Sequence, residues 1–420
     1  MKMRKFIATI SVLLSATMLL SCSDSGISPD VVNQKTAIIY FSAQNSLSSY
    51  VMDDVQEIAA GAPQLKKGQT VVVYLDRNSG TEIYVFDNKH ADITPTLVYE
   101  KNLDSSDPAT LAMVLQWVKE NHPAISYGLT LWSHADGWMA PYNTNYQSSK
   151  AKGFKSIGID DGGVFATDQG TAMSIEDLAT VLRNSGMKFS YLFFDACLMQ
   201  SLEVDYTLRN VTDYIIASPI GTTSDGAFYT HQLTQGMFSD DPADIARTYY
   251  NDVVNYETSA YWMGIVVAAV KTSGLDSLAT LTHELLQKNN IHYPMTDGQW
   301  TAAEDEWQMD GVQAYAPYSA RLCYKPDFFD AADVMRKLLP AEDAERWCQQ
   351  LDKCIAYKAG TPKYYVDDYN VGPYFQLKEG FCAVSMFVPQ KKYTDNIAVC
   401  LYGDLNVAWL QTEWAKKIGY

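Results

Sequence analysis

Two short stretches carry side chains able to act on a substrate. W-S-H-A-D-G-W at 132–138 sets His134 in a turn-like sequence, and Y-L-F-F-D-A-C-L-M-Q-S-L at 191–202 ends an apolar run on Asp195 and Cys197. A thiolate is a strong nucleophile, and an imidazolium or a helix N-terminus beside a cysteine lowers its pKa. His134 next to Cys197 would therefore support attack on a carbonyl, with the imidazole protonating the leaving amine. The backbone N–H groups of Ala135, Asp136, Gly137 and Cys197 could stabilise the oxyanion, and Gly137 permits the tight turn this needs. Asp195 lies two residues before Cys197, on the same side of an extended segment, where a carboxylate would meet a cationic side chain. Its ordinary alternative is to cap the helix expected from Leu198 onward. A lone cysteine after an apolar strand is more often a small core residue, so the information lies in the pair.

Residues that act together must be brought to one edge by the fold. Near-continuous Val, Ile and Tyr runs at 36–42 and 70–76 read as strands buried on both faces. Residues 48–60 carry Val51, Val55 and Ile58 at helical spacing, and Asp107 with Pro108 opens another helix. Residues 81–87 and 96–100 could form a small hairpin. The alternation continues with a strand at 126–133, a helix at 174–185 begun by Ser174 and Asp177, and a strand at 189–194. A helix is expected over 198–210, a strand at 214–217, a helix at 241–256 and a strand at 264–270. This order implies parallel pairing through crossovers and an α/β doubly wound sheet, whose ligands bind beyond the carboxyl ends of the strands. Past residue 272 the pattern predicts helices at 274–287, 326–339 and 341–356, one strand at 380–388 and a closing helix at 405–418. A catalytic domain over 35–271 with a C-terminal subdomain over 272–420 packed on it is expected.

The N-terminus follows a different logic. Lys2, Arg4 and Lys5 precede an apolar run at 6–20 that ends L-L-S-C at Cys22. That is the layout of a secretory signal, too short for a membrane span. Its end resembles a bacterial lipobox, which implies lipidation of Cys22, a signal peptide over 1–21 and anchorage in the cell envelope. Residues 22–34 then form a flexible tether. The net charge of −17, from 32 basic and 49 acidic residues, excludes a nucleic-acid surface and favours basic partners. Of the seven cysteines, Cys323, Cys348, Cys354, Cys382 and Cys400 crowd the last hundred residues without any C-x-x-C spacing, so no zinc site is expected.

S-H-A-D-G-W, D-A-C-L-M-Q-S-L-E-V and Y-I-I-A-S-P together resemble the clostripain-like cysteine peptidases, which share the caspase-type fold. The resemblance implies a caspase-like, mainly parallel sheet and a His134–Cys197 dyad. It also implies a P1 pocket lined by Asp195, to which Asp225 in T-S-D-G-A-F-Y adds a second carboxylate, with preference for Arg or Lys. The family usually has Gly directly after the histidine, where this chain has Ala135, a residue strained if that position needs positive φ. Several members are activated by cleavage between the two segments. The 35-residue connection at 139–173 holds Lys150, Lys152 and Lys155 as candidate self-cleavage points. No cofactor is required. Calcium, used by some relatives, could be taken by Asp160 and Asp161 or by Asp367 and Asp368, although neither pair has the spacing of a calcium loop.

The resulting expectation is a monomeric, lipid-anchored endopeptidase cleaving protein or peptide substrates after basic residues. The competing reading is a non-catalytic surface lipoprotein that binds peptides or glycans, to which 28 tyrosines and 9 tryptophans lend support. A pure binder has no use for both His134 and Cys197.

Overall fold

The computed structural model describes residues 32–139, 157–160, 171–255, 264–292, 311–316, 328–364, 375–389 and 405–419. Nine strands form one sheet, in the spatial order Ile355–Gly360, Val266–Lys271, Tyr214–Ala217, Phe189–Asp195, Ala124–Trp132, Asn33–Ser42, Gln69–Arg77, Gly80–Phe86 and Leu97–Val98. The five central strands, from Tyr214–Ala217 to Gln69–Arg77, run parallel. Both margins turn antiparallel. Alternation of strand and helix therefore misleads at Val266–Lys271, which runs against Tyr214–Ala217 although a helix joins them.

The burial of the central strands explains their composition. Seven consecutive residues of Asn33–Ser42 and seven of Gln69–Arg77 are buried, as a sheet covered on both faces requires. One face packs under the helices Pro108–Asn121, Ile175–Ser185, Leu275–Lys288 and Ala341–Cys354, the other under Val51–Gly61 and Asp244–Asn255. Helix starts follow local chemistry. Asp107 accepts from the Ala109 N–H at 2.8 Å with Pro108 in the first turn, and Ser174 accepts from the Asp177 N–H at 2.9 Å.

Three expectations for the C-terminal residues are corrected. The helix expected from 326 starts at Ala331, because Asp330 ends the short strand Phe328–Asp330 and caps the helix. Only Ser385–Met386 is strand within 380–388. The closing helix is two, Leu405–Trp409 and Glu413–Ile418, since Thr412 takes extended backbone and caps the second. In the main sheet, one strand escaped the sequence reading: Ile355–Gly360, from beyond residue 271, pairs with Val266–Lys271 and extends it. Outside it the unexpected short strands include Ile157–Asp160 and Thr171–Met173, which pair within the stretch read as a connection.

Candidate functional site

The register of two central strands sets the site. Ala124–Trp132 and Phe189–Asp195 are adjacent and parallel, with Trp132 opposite Asp195. His134 and Cys197 each follow by two residues, so both leave the sheet at matched positions beyond its carboxyl edge. Cys197 is half-buried and free. Its hydrogen bonds go to Thr222, whose N–H donates to Sγ at 3.3 Å; among the described residues none joins it to His134. The His134 Nε2 lies 2.8 Å from Ser46 Oγ, on the turn that follows the strand Asn33–Ser42. Hydrogen bonds between such residues often close only once substrate is bound.

The backbone around the thiol differs from expectation. The helix expected from Leu198 starts at Leu202, with Ser201 accepting from the Val204 N–H at 3.3 Å. A helix N-terminus therefore does not sit under Cys197, and Asp195 is not its cap. Leu198 instead adopts φ +63°, a left-handed conformation costly for a leucine, and its N–H donates to Ile220 O at 3.0 Å. Four residues at 198–201 thus form a bridge that turns the chain away from the sheet, and Ser385 N–H braces it by donating to Gln200 O at 2.9 Å.

The turn after His134 meets this bridge. Gly137 has φ +67°, and a Cβ there would lie 2.9 Å from Leu198 O, which only glycine avoids. Ala135 is not left-handed, so the strain feared for alanine is absent. It pairs instead with Ile157 in an isolated antiparallel bridge, where Gly158 N–H reaches His134 O at 3.4 Å. Among the described residues the N–H groups of Gly137 and Cys197 find no acceptor within the chain, as donors to a developing oxyanion must not. Asp136 accepts at its carbonyl from the Met139 N–H at 3.3 Å.

Asp195 is 3% exposed and held by its surroundings. The Ala227 N–H and the Tyr229 hydroxyl each donate to Oδ2 at 3.0 Å. Gly226, at φ +60°, lets the loop close over it, since a Cβ there would stand 2.6 Å from Oδ2. Burial pushes the Asp195 pKa up to about 6, against the pull of the Ala227, Tyr229 and Tyr249 donors. Asp225 is exposed on the same loop, its carboxyl raised by partial burial and by Asp53. The structure thus brings His134, Cys197, Asp195 and Asp225 to one edge.

Other expectations fall elsewhere. Cys22, Lys150, Lys152, Lys155, Asp161, Asp367 and Asp368 lie outside the described residues. Asp160 takes donors from Gln44 Nε2 at 2.9 Å and the Ser105 N–H at 2.7 Å. Among the described residues no group of three or more His, Cys, Asp or Glu is arranged to hold a metal, and no helix is long and apolar enough to cross a membrane. Cys348, Cys354 and Cys382 are buried and free.

Sequence reasoning missed Ser46, Thr222 and Leu198. Ser46 follows a strand end as His134 and Cys197 do, so the rule that found those two pointed to it as well.

A family model described as the clostripain family matches residues 39–418. Among solved structures, a secreted C11 cysteine protease from Bacteroides thetaiotaomicron, in complex with an irreversible peptide inhibitor, is 23% identical with a TM-score of 0.72. An inactive zymogen C11 protease from Parabacteroides distasonis is 25% identical with a TM-score of 0.68. A further structure, of a secreted C11 cysteine protease from Bacteroides thetaiotaomicron called "iotapain", is 19% identical with a TM-score of 0.71. Each comparison covers 92% of this chain and 99% of the other. No curated protein matches the chain.

Proposed function

The chain belongs to the clostripain family and is a cysteine endopeptidase; from that premise we propose that Cys197 and His134 form its dyad and that it cleaves after Arg or Lys. The observation that carries this reading is the matched exit of both residues from adjacent parallel strands. The Cys197 thiolate attacks the scissile carbonyl, and the N–H groups of Gly137 and Cys197 receive the oxyanion. His134 passes a proton to the leaving amine, which departs as a thioester forms. Water, deprotonated by His134, then releases the acid and restores the thiol. The Ser46 hydroxyl orients the imidazole, and the Thr222 N–H holds the sulfur. Asp195 and Asp225 supply the negative charge that favours a basic P1 residue.

The leader and the L-L-S-C sequence support lipid anchorage through Cys22, with the protein working as a monomer in the cell envelope. The lysines at 150, 152 and 155 support self-cleavage between the histidine and cysteine segments. A single experiment addresses the core of this reading: hydrolysis of fluorogenic peptides ending in Arg, Lys, Asp or Leu by the mature chain and by Cys197→Ala. Turnover confined to Arg and Lys is expected, falling at least ~10³-fold in the variant, with new N-termini after the loop lysines in the active preparation alone. Turnover indifferent to P1 charge removes the basic preference. Turnover that survives Cys197→Ala removes the dyad, and only intact chain in an active preparation removes self-cleavage.

A further inference from the structure

Asp195 and Asp225 share their neighbourhood with two carboxylates from another element. The helix Val51–Gly61 carries Asp54 and Glu57 three residues apart, on one face. Glu57 is fastened to the loop that closes over Asp195: the Tyr229 N–H donates to its Oε2 and the Thr230 hydroxyl to its carbonyl, both at 2.8 Å. Tyr229 uses its own hydroxyl on Asp195, so one residue ties the helix to the strand end.

Asp54 is treated differently. It is 3% exposed, it accepts no hydrogen bond among the described residues, and its Oδ2 is sealed from solvent without a partner. The charges that act most strongly on it are those of Asp195, Glu57, Asp225 and Asp53, all acids. His231, on the segment packed against this helix, is engaged by Asp252 at 2.6 Å. A buried carboxylate lacking both donor and cation is among the least favourable arrangements in a protein interior unless something from outside completes it.

Resting on the reading of this edge as the pocket for a basic P1 side chain, we propose that Asp54 is a third carboxylate of that pocket and that the cationic head of the substrate is the partner its buried oxygen lacks. Binding then includes a proton exchange. Asp54 stands as the neutral acid in the empty site, gives its proton to solvent when the ammonium or guanidinium arrives, and pairs with it as the carboxylate. Burial first, then the charges of Asp195 and Glu57, hold the Asp54 carboxyl well above the ordinary carboxylate range. Glu57, raised to about 7 by burial, and Asp195, raised to about 6, shed protons across the neutral range. Basic substrates therefore bind better as pH rises.

The test compares peptides with Arg or citrulline at P1, the second a neutral isostere of the first, in the unmodified chain and in Asp54→Asn, with thiol titration to count competent molecules. The Arg-over-citrulline ratio of kcat/KM is expected to fall about tenfold in the variant, through KM rather than kcat. In calorimetry about two pH units above the Glu57 value of about 7, where Glu57 and Asp195 are already ionised, Arg peptide binding to Cys197→Ala in buffers of different ionisation enthalpy is expected to release about one proton per peptide, a release lost when Asp54→Asn is added. If the unmodified chain does not prefer Arg over citrulline, the reading beneath the inference fails. If that preference survives Asp54→Asn in full, or no proton is released on binding, the inference alone is overturned. The proton measurement on Cys197→Ala decides even if Asp54→Asn does not fold.

Discussion

Asp54 and Asp330 are both buried aspartates, 3% and 0% exposed, in regions that treat them oppositely. Asp330 is fully engaged: the Tyr315 hydroxyl and the Cys382 N–H donate to Oδ2 at 2.5 and 2.6 Å, and the Asp333 N–H donates to Oδ1 at 2.9 Å. Burial raises its pKa while those donors pull it back. Asp54 has no donor to pull it back. Asp330, which holds C-terminal residues together, receives three donors from the chain, whereas Asp54, near Asp195 and Asp225, receives none among the described residues. A buried carboxyl with its donors in place joins the architecture, whereas one without them stays protonated until a cation arrives, as proposed for Asp54.

The same substitution at both positions is the sharpest way to break this comparison. Asp330→Asn is expected to lower stability by about 3 kcal/mol, because the amide cannot accept from three donors at once. Asp54→Asn is expected to leave stability equal or raise it by up to about 1 kcal/mol. Denaturant unfolding of both variants checks this, and equal losses would erase the distinction.

The next effect is the response to pH. Carboxyls raised in the folded state bind protons more tightly there than in the unfolded chain, so the stability they contribute is present below the unfolded value near 4 and is lost as pH rises through the folded one. Asp195 at about 6 and Glu57 at about 7 put the loss between ~4 and about 7, with Asp195 alone accounting for something on the order of 3 kcal/mol. Urea midpoints at pH 5 and pH 7.5 should therefore fall with rising pH, and fall less in Asp54→Asn. A midpoint that rose over this interval would contradict the assignment.

The smallest effect belongs to Ser46. Losing its bond to the imidazole is expected to reduce kcat/KM about tenfold, ~1.4 kcal/mol in transition-state terms, through kcat and with a shifted acid limb of the pH profile. Stability should move by no more than ~0.5 kcal/mol. Loss of stability without change in the pH profile would make Ser46 a packing residue instead.

The central strands and the placement of His134 and Cys197 beyond their ends were legible because two-sided burial forces continuous apolar runs and because polar side chains interrupt them at the carboxyl edge. The marginal strands were less so. Ile355–Gly360 is mostly half-buried, so its composition does not separate it from the helix before it. The helix expected from Leu198 failed for a backbone reason, as leucine gives no sign that it will adopt positive φ. Asp54 and Glu57 sit among Asp53 and Gln56 in what reads as a solvated helix face, and only tertiary packing turns two of those four inward.

The contact between Gly137 and the Leu198 carbonyl works as a caliper. It sets the spacing of the histidine turn and the cysteine bridge by main chain against main chain, so repacking of side chains elsewhere does not reset it. A single methyl group at position 137 would open the jaws while leaving both reactive residues in the sequence.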